Sequence, residues 1–182
     1  DFETAVKHIA LAGYDGVEIS AIKGMCEHLV LDRWQEQAED LKQIVSDNGL
    51  EFLSMEVASL DEDRLMKAFE SGAKIGIPVI NVGPGGKSNI EEDLQKTLDH
   101  LAKMADKANE FGVFLCVKAH VGASIYNTPT TLRAMEEIKS PGFGIDMDPS
   151  HIYRSGENPE DALPQVLERV KHIHIRDCIE RV

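Results

Sequence analysis

Helix-type and strand-type patterns alternate six times along the 182 residues, at about thirty residues per unit, the size of a βαβ repeat. The strand-type segments also sort their side chains by parity, apolar on one side and polar on the other. These two observations predict an α/β fold of parallel strands covered by helices, and within that class a TIM (β/α)8 barrel. An open doubly wound sheet carries helices on both faces, so its central strands should be apolar throughout. Here one parity holds Val17, Ile19, Leu53, Met55, Ile80, Val82, Leu115, Val117, Ile145, Met147, Ile173 and Ile175, the set that helices would cover. The other holds Glu18, Ser20, Ser54, Glu56, Asn81, Lys118, His120, Asp146, Asp148, His172, His174 and Arg176. These polar residues gather toward the C-terminal ends of the strands, where such barrels build their active sites. A full barrel typically needs about 250 residues, so the expectation is one incomplete barrel domain over residues 1–182, with six βα units and the first and eighth strands missing.

The first helix is predicted from Phe2, Val6, Ile9 and Ala10 at helical spacing, with Gly13 ending it ahead of the strand Gly16-Val17-Glu18-Ile19-Ser20. Asp32 is the expected cap of a second helix, with Trp34, Ala38, Leu41 and Val45 on one stripe and Asn48-Gly49 closing it before strand 51–56. A third helix carries Leu65, Phe69 and Ala73 to Gly76 and leads to Pro78-Val79-Ile80-Asn81-Val82. Ser88-x-x-Glu91 reads as the capping box of a fourth, which carries Leu94, Leu98, Leu101, Ala105 and Ala108 to Gly112 and strand 113–120. Thr128-Pro129 and Asn158-Pro159 open the fifth and sixth helices, each placing proline in the first turn. The run Gly144-Ile145-Asp146-Met147-Asp148 alternates as a strand with both carboxylates on one face, and Lys171 to Asp177 is the expected last strand.

Composition narrows the function classes. A formal charge of −13 opposes a phosphate backbone, and no basic stripe with interleaved aromatics offsets it, so nucleic acid is not an expected partner. Residues such as Glu36, Glu39, Asp40 and Glu91 to Asp93 read as a solubility surface. No apolar run approaches a membrane span, and Asp1-Phe2-Glu3-Thr4 lacks a charged-then-apolar signal pattern, which reads as a soluble, cytoplasmic chain with no membrane partner. Cys26, Cys116 and Cys178 are odd in number and widely spaced, so neither a disulfide framework nor a zinc knuckle is implied. Gly83-Pro84-Gly85-Gly86-Lys87-Ser88 fails the phosphate-loop pattern because Asn81 stands at its first glycine, and it is read as a loop covering substrate.

Gly13-Tyr14-Asp15-Gly16-Val17-Glu18-Ile19, the strand end Asp148-x-x-His151 and the closing His172-Ile173-His174-Ile175-Arg176-Asp177 resemble the xylose-isomerase-like TIM-barrel superfamily. That superfamily includes sugar and sugar-phosphate isomerases and epimerases, inosose dehydratases and type IV apurinic endonucleases. The resemblance runs along essentially the whole chain and implies a divalent metal (Mn, Mg, Co or Zn) at the barrel mouth, held by a Glu, an Asp, a His and a second Glu. Asp148 matches the Asp, His174 matches the His, and His151 matches a substrate-touching histidine of the epimerases. The last Glu belongs to the eighth strand. The first Glu is a departure, because Lys118-Ala119-His120 stands where Glu-x-His is expected. A protonated lysine has no lone pair for a metal and brings a like charge beside it.

The sequence reading therefore assigns Asp148 and His174 as metal ligands, Lys118 and His151 as catalytic residues, and Glu18, Glu56, His120 and Arg176 as substrate contacts. The expected activity is that of a sugar or sugar-phosphate isomerase or epimerase moving a proton beside a carbonyl, with the metal's help or with Lys118 as a fixed cation. Two alternatives stand beside it: a metal-free lyase or aldolase in which Lys118 forms a Schiff base, and a sugar-binding barrel without turnover. The partner is a small sugar, and a homo-oligomer is compatible with the reading.

Overall fold

The structure, a computed structural model, describes residues 1–179. Strands β1 (Gly16–Ile22), β2 (Cys26–Glu27), β3 (Glu51–Glu56), β4 (Val79–Val82), β5 (Phe114–Lys118), β6 (Phe143–Met147) and β7 (Val170–Ile173) form one sheet in the order β2-β1-β3-β4-β5-β6-β7. All neighbouring pairs are parallel except the two-residue β2, which turns back on β1. The order of the parallel strands never reverses, as it must in a doubly wound sheet. The winding is that of a TIM-type barrel, and Glu18 of β1 reaches His172 and His174 at the β7 end. Among the described residues no backbone ladder joins β7 to β1.

Helices α1 (Phe2–Leu11), α2 (Trp34–Asp47), α3 (Glu62–Ile75), α4 (Glu91–Glu110), α5 (Thr128–Glu137), α6 (Pro149–Arg154) and α7 (Pro159–Val166) fill the connections. The predicted stripes are buried on α2 (Trp34, Ala38, Leu41, Val45) and α4 (Leu94, Leu98, Leu101, Ala105, Ala108), and on α3 Leu65 and Phe69 are buried while Ala73 faces outward. They close over Val17, Ile19, Met55, Ile80, Val82, Leu115, Val117, Ile145 and Met147 in a single core. Burying each large side chain there contributes about 1.5–3 kcal/mol. Gly76 ends α3 at φ 97°, a left-handed conformation in which a Cβ is strained.

Local corrections follow from tertiary pairing. Asp32 does not cap α2; it lies in a short 3-10 turn, and its carboxylate takes Lys67 at 2.7 Å. Ser88 does not cap α4, whose N-cap is Ile90, while Asp93 reaches back to accept from the Lys87 amide at 2.9 Å. The cap of α5 is Asn127, in a reciprocal box with Thr130. The α6 turn, absent from the six expected helices, begins where Pro149 ends β6. The last strand stops at Ile173 rather than Asp177.

Two bulges break the simple parity. The register between β1 and β3 shifts after Val17, so Phe52 packs outward against Phe2 of α1 while Leu53 leans over Gly16 and is 47% exposed. A second shift after Ile145 places Lys171 beside Gly144 and Cys116. A Cβ at Gly144 would lie 2.6 Å from the Cys116 Sγ and 2.8 Å from the Lys171 Cγ, so only glycine fits that approach. Ile175, expected under a helix, is 81% exposed among the described residues.

Candidate functional site

The polar parity converges at the C-terminal ends of the strands, as a barrel mouth requires. Glu18 of β1 is the hub of one side. Its Oε2 accepts from the Ser54 hydroxyl at 2.5 Å and from the Asn81 amide at 2.9 Å, and its Oε1 lies 3.0 Å from His174 Nε2. Asp146 of β6, 1% exposed, is the hub of the other, with Oδ1 3.0 Å from His172 Nδ1 and Oδ2 2.7 Å from His174 Nδ1. The Lys118 ammonium donates to Glu56 Oε2 at 3.0 Å and lies 3.8 Å from Asp146 Oδ2. Parallel pairing of Lys118 with Asp146, and of Glu56 with Asn81, sets these side chains in adjacent rows.

Burial raises the proton affinity of every carboxyl here, and the neighbours decide the outcome. For Asp146 the desolvation cost is outweighed by hydrogen bonds and charge from His172 and His174, which bring its pKa down to about 2. For Glu18 burial is likewise outweighed, by His174 and Ser54, and the pKa falls. Glu56 goes the other way, because burial, with the nearby charges of Glu18 and Asp146, exceeds what Lys118 restores, and its pKa rises. Burial works against the charge on Lys118, but Glu56 and the two aspartates hold it as an ammonium. His174, hydrogen-bonded to Asp146 and Glu18, is raised to about 10.

A second group sits beside this one. Asp148 leaves the strand as the N-cap of α6, its Oδ1 accepting from the Ser150 amide at 3.0 Å and the Ser150 hydroxyl at 2.5 Å. Arg176 Nε donates to Ser150 Oγ at 2.7 Å and lies 3.2 Å from Asp148 Oδ2, while its terminal nitrogen meets His151 Nε2. His151 is buried against His120, ring centroids 4.0 Å apart, and takes the Val121 amide on Nδ1 at 3.4 Å. Burial first, then the charges of His120 and Arg176, lower His151 to about 4.

The structure thus brings Glu18, Glu56, Lys118 and His174 into one cluster and gathers Asp148, His151, His120 and Arg176 in another. Asp146, His172, Ser54 and Asn81 complete the first cluster, although the sequence reading assigned them no role. Their shared polar parity was the available signal. His120 is exposed and holds the Val121 carbonyl at 3.0 Å.

Among the described residues, two groups have ligand-type atoms within 4.8 Å of one another: Glu18, His172 and His174, and Glu56, Asp146 and His174. Asp148 belongs to neither, because its carboxylate is turned to Ser150 and Arg176. A divalent ion does not fit the second group as it stands. The Lys118 ammonium already occupies the gap between Glu56 and Asp146, and both ring nitrogens of His174 face carboxylates. A dication beside that ammonium at about 4 Å meets a repulsion of roughly 8 kcal/mol at an effective dielectric of about 20.

A family model described as xylose isomerase-like TIM barrel matches residues 6–181. Inosose dehydratases of Geobacillus thermodenitrificans and Bacillus thuringiensis are each 25% identical, over 97% and 100% of this chain and 63% and 65% of their own lengths. The chain therefore spans less than two thirds of these curated relatives. Among solved structures, the probable 3-DHS dehydratase AsbF of Bacillus anthracis superposes with a TM-score of 0.80 at 18% identity, over 96% of this chain and 67% of that one. A D-psicose 3-epimerase superposes with a TM-score of 0.78 at 16% identity, over the same shares.

Proposed function

The chain belongs to the xylose isomerase-like TIM barrel family, and from that premise we propose that it acts on a small polyhydroxylated carbonyl compound by removing a proton beside the carbonyl. The observation that carries the reading is the pairing of Glu56 with Lys118. Glu56 is 8% exposed with its proton affinity raised, which suits a general base, and the adjacent ammonium suits the oxyanion that forms as the proton leaves. The buried Asn81 Oδ1, without a hydrogen-bond partner among the described residues, suits an acceptor for a substrate hydroxyl.

The fate of the resulting enediolate depends on the acid. His174 Nε2 lies 3.9 Å from Glu56 Oε2, and in this reading the two serve as donor and base on one face of the substrate. That arrangement suits loss of a neighbouring hydroxyl as water from the same face, which is the reaction class named for the inosose dehydratases. A same-face isomerisation, in which Glu56 returns the proton to the adjacent carbon, is the second reading. Inversion at one carbon, as in an epimerase, needs a second group on the opposite face of the substrate. The charge on Lys118 speaks against a Schiff base, since an ammonium has no lone pair to attack with.

The test is incubation of keto-polyols, cyclic and open-chain, in deuterated water, with ultraviolet absorbance for the unsaturated product and NMR for exchange. Glu56→Gln is expected to lose exchange and elimination together, by about 10²–10⁴-fold, while His174→Gln keeps exchange and loses elimination. Absence of exchange into every substrate by the unaltered protein sinks the proposal.

A further inference from the structure

We propose that Lys118 is the resident cation of this site, its ammonium bridging Glu56 and Asp146 where the family resemblance implies a divalent metal ion. The inference concerns what the site holds, so its measurement is independent of the reaction proposed above.

Position 118 carries the argument. The resemblance places a carboxylate ligand there, and this chain supplies a cation instead. The substitution is not idle in the fold. Lys118 ends β5, its backbone pairs with that of Asp146, and its side chain, 16% exposed, is directed at Glu56 and Asp146, whose carboxylates together with His174 could otherwise hold an ion. One residue has therefore removed a ligand and neutralised part of the charge that would attract an ion. The remaining acids are engaged as well. Glu18 Oε2 takes Ser54 and Asn81, and Asp148 is held by Ser150 and by the guanidinium of Arg176. Each carboxylate of the mouth has a protein partner at hydrogen-bonding distance, which is the condition under which buried acids persist without a metal.

The proposal makes a gain-of-function prediction. Lys118→Glu restores a carboxylate between Glu56 and Asp146 and removes the competing charge, so it should create affinity for a divalent ion. Lys118→Gln removes the charge without adding a ligand and should give a smaller gain.

The experiment is calorimetric titration of the full chain, stripped with chelator, with Mn²⁺, Co²⁺, Zn²⁺ and Mg²⁺ in turn, with circular dichroism as the check on folding. The expected result is no saturable binding by the unaltered protein and a gain on the order of 10–100-fold in Lys118→Glu, the range a single supporting group commands at metal sites. Should Lys118→Glu fail to fold, the gain is read from Lys118→Gln alone. Stoichiometric binding of any of the four ions by the unaltered protein overturns the proposal, as does a Lys118→Glu or Lys118→Gln protein that folds and binds no better.

Discussion

Two histidines a few ångströms from the same barrel mouth are held in opposite states. His174 has a carboxylate at each ring nitrogen, Asp146 at 2.7 Å and Glu18 at 3.0 Å, and its pKa rises to about 10. His151 is packed against His120 and Arg176, and its pKa falls to about 4 although Asp148 lies 3.8 Å away. The difference lies first in burial and the neighbouring charges, which lower His151, against the carboxylate hydrogen bonds that raise His174. Asp146 has no backbone duty and spends both oxygens on imidazoles. Asp148 caps α6 and pairs with Arg176, and its pull on His151 does not offset burial and the charge of His120. One group is an assembly of paired charges at the strand ends, and the other a braced corner that turns the chain from β6 into α6.

The most forceful way to break this contrast is Asp146→Ala. It leaves Lys118 and His174 with one carboxylate partner fewer each, and removal of one member of a buried ionic network costs about 3–5 kcal/mol. Denaturant unfolding should register that loss, and the His174 imidazole should titrate several pH units lower. A change below about 1 kcal/mol, the value of a surface pair, would mean that the cluster is not the coupled unit described.

The second test uses pH. His174 has a folded pKa of about 10 against an ordinary 6.5, so its contribution to stability is complete below about pH 6.5 and disappears as pH rises through 10. His151 has a folded pKa of about 4 against the same 6.5, so its contribution is complete above about pH 6.5 and disappears as pH falls toward 4. Imidazole NMR is expected to find His174 charged at about pH 8 and His151 neutral at about pH 6. Two titrations near the ordinary value would erase the comparison.

The smallest effect belongs to Asp148→Ala. Loss of the α6 cap should cost about 1–2 kcal/mol and leave the His174 titration in place. A shift of His174 in that variant would show the two groups to be one.

Much of this arrangement was legible in the chain. Alternating units and the polar parity of Glu18, Glu56, Lys118 and His174 depend on local periodicity, which a sequence displays directly. What escaped depends on pairing between distant segments. The extra residues Leu53 and Lys171 exist as bulges only relative to the strands beside them, and nothing in their own neighbours marks them. Asp146 and Asp148 alternate perfectly in the sequence, yet Pro149 starts a helix one residue after Asp148 and carries the second carboxylate away from the first. Ser88 and Asp32 had the right chemistry for caps, but the helices begin three residues beyond Ser88 and two beyond Asp32, where tertiary packing places them.

The hydrogen bond from His174 to Glu18 joins residues 156 positions apart. Contacts of such separation carry a large loop-closure entropy and are slow to form, because most of the intervening chain must be ordered before they are rewarded. A nascent or nicked chain in which β7 has not docked can bring Glu56, Lys118 and Asp146 together and still lack both imidazoles. The chemistry is thereby tied to completion of the fold. The full cluster of carboxylates, ammonium and imidazoles therefore exists only once β7 has docked.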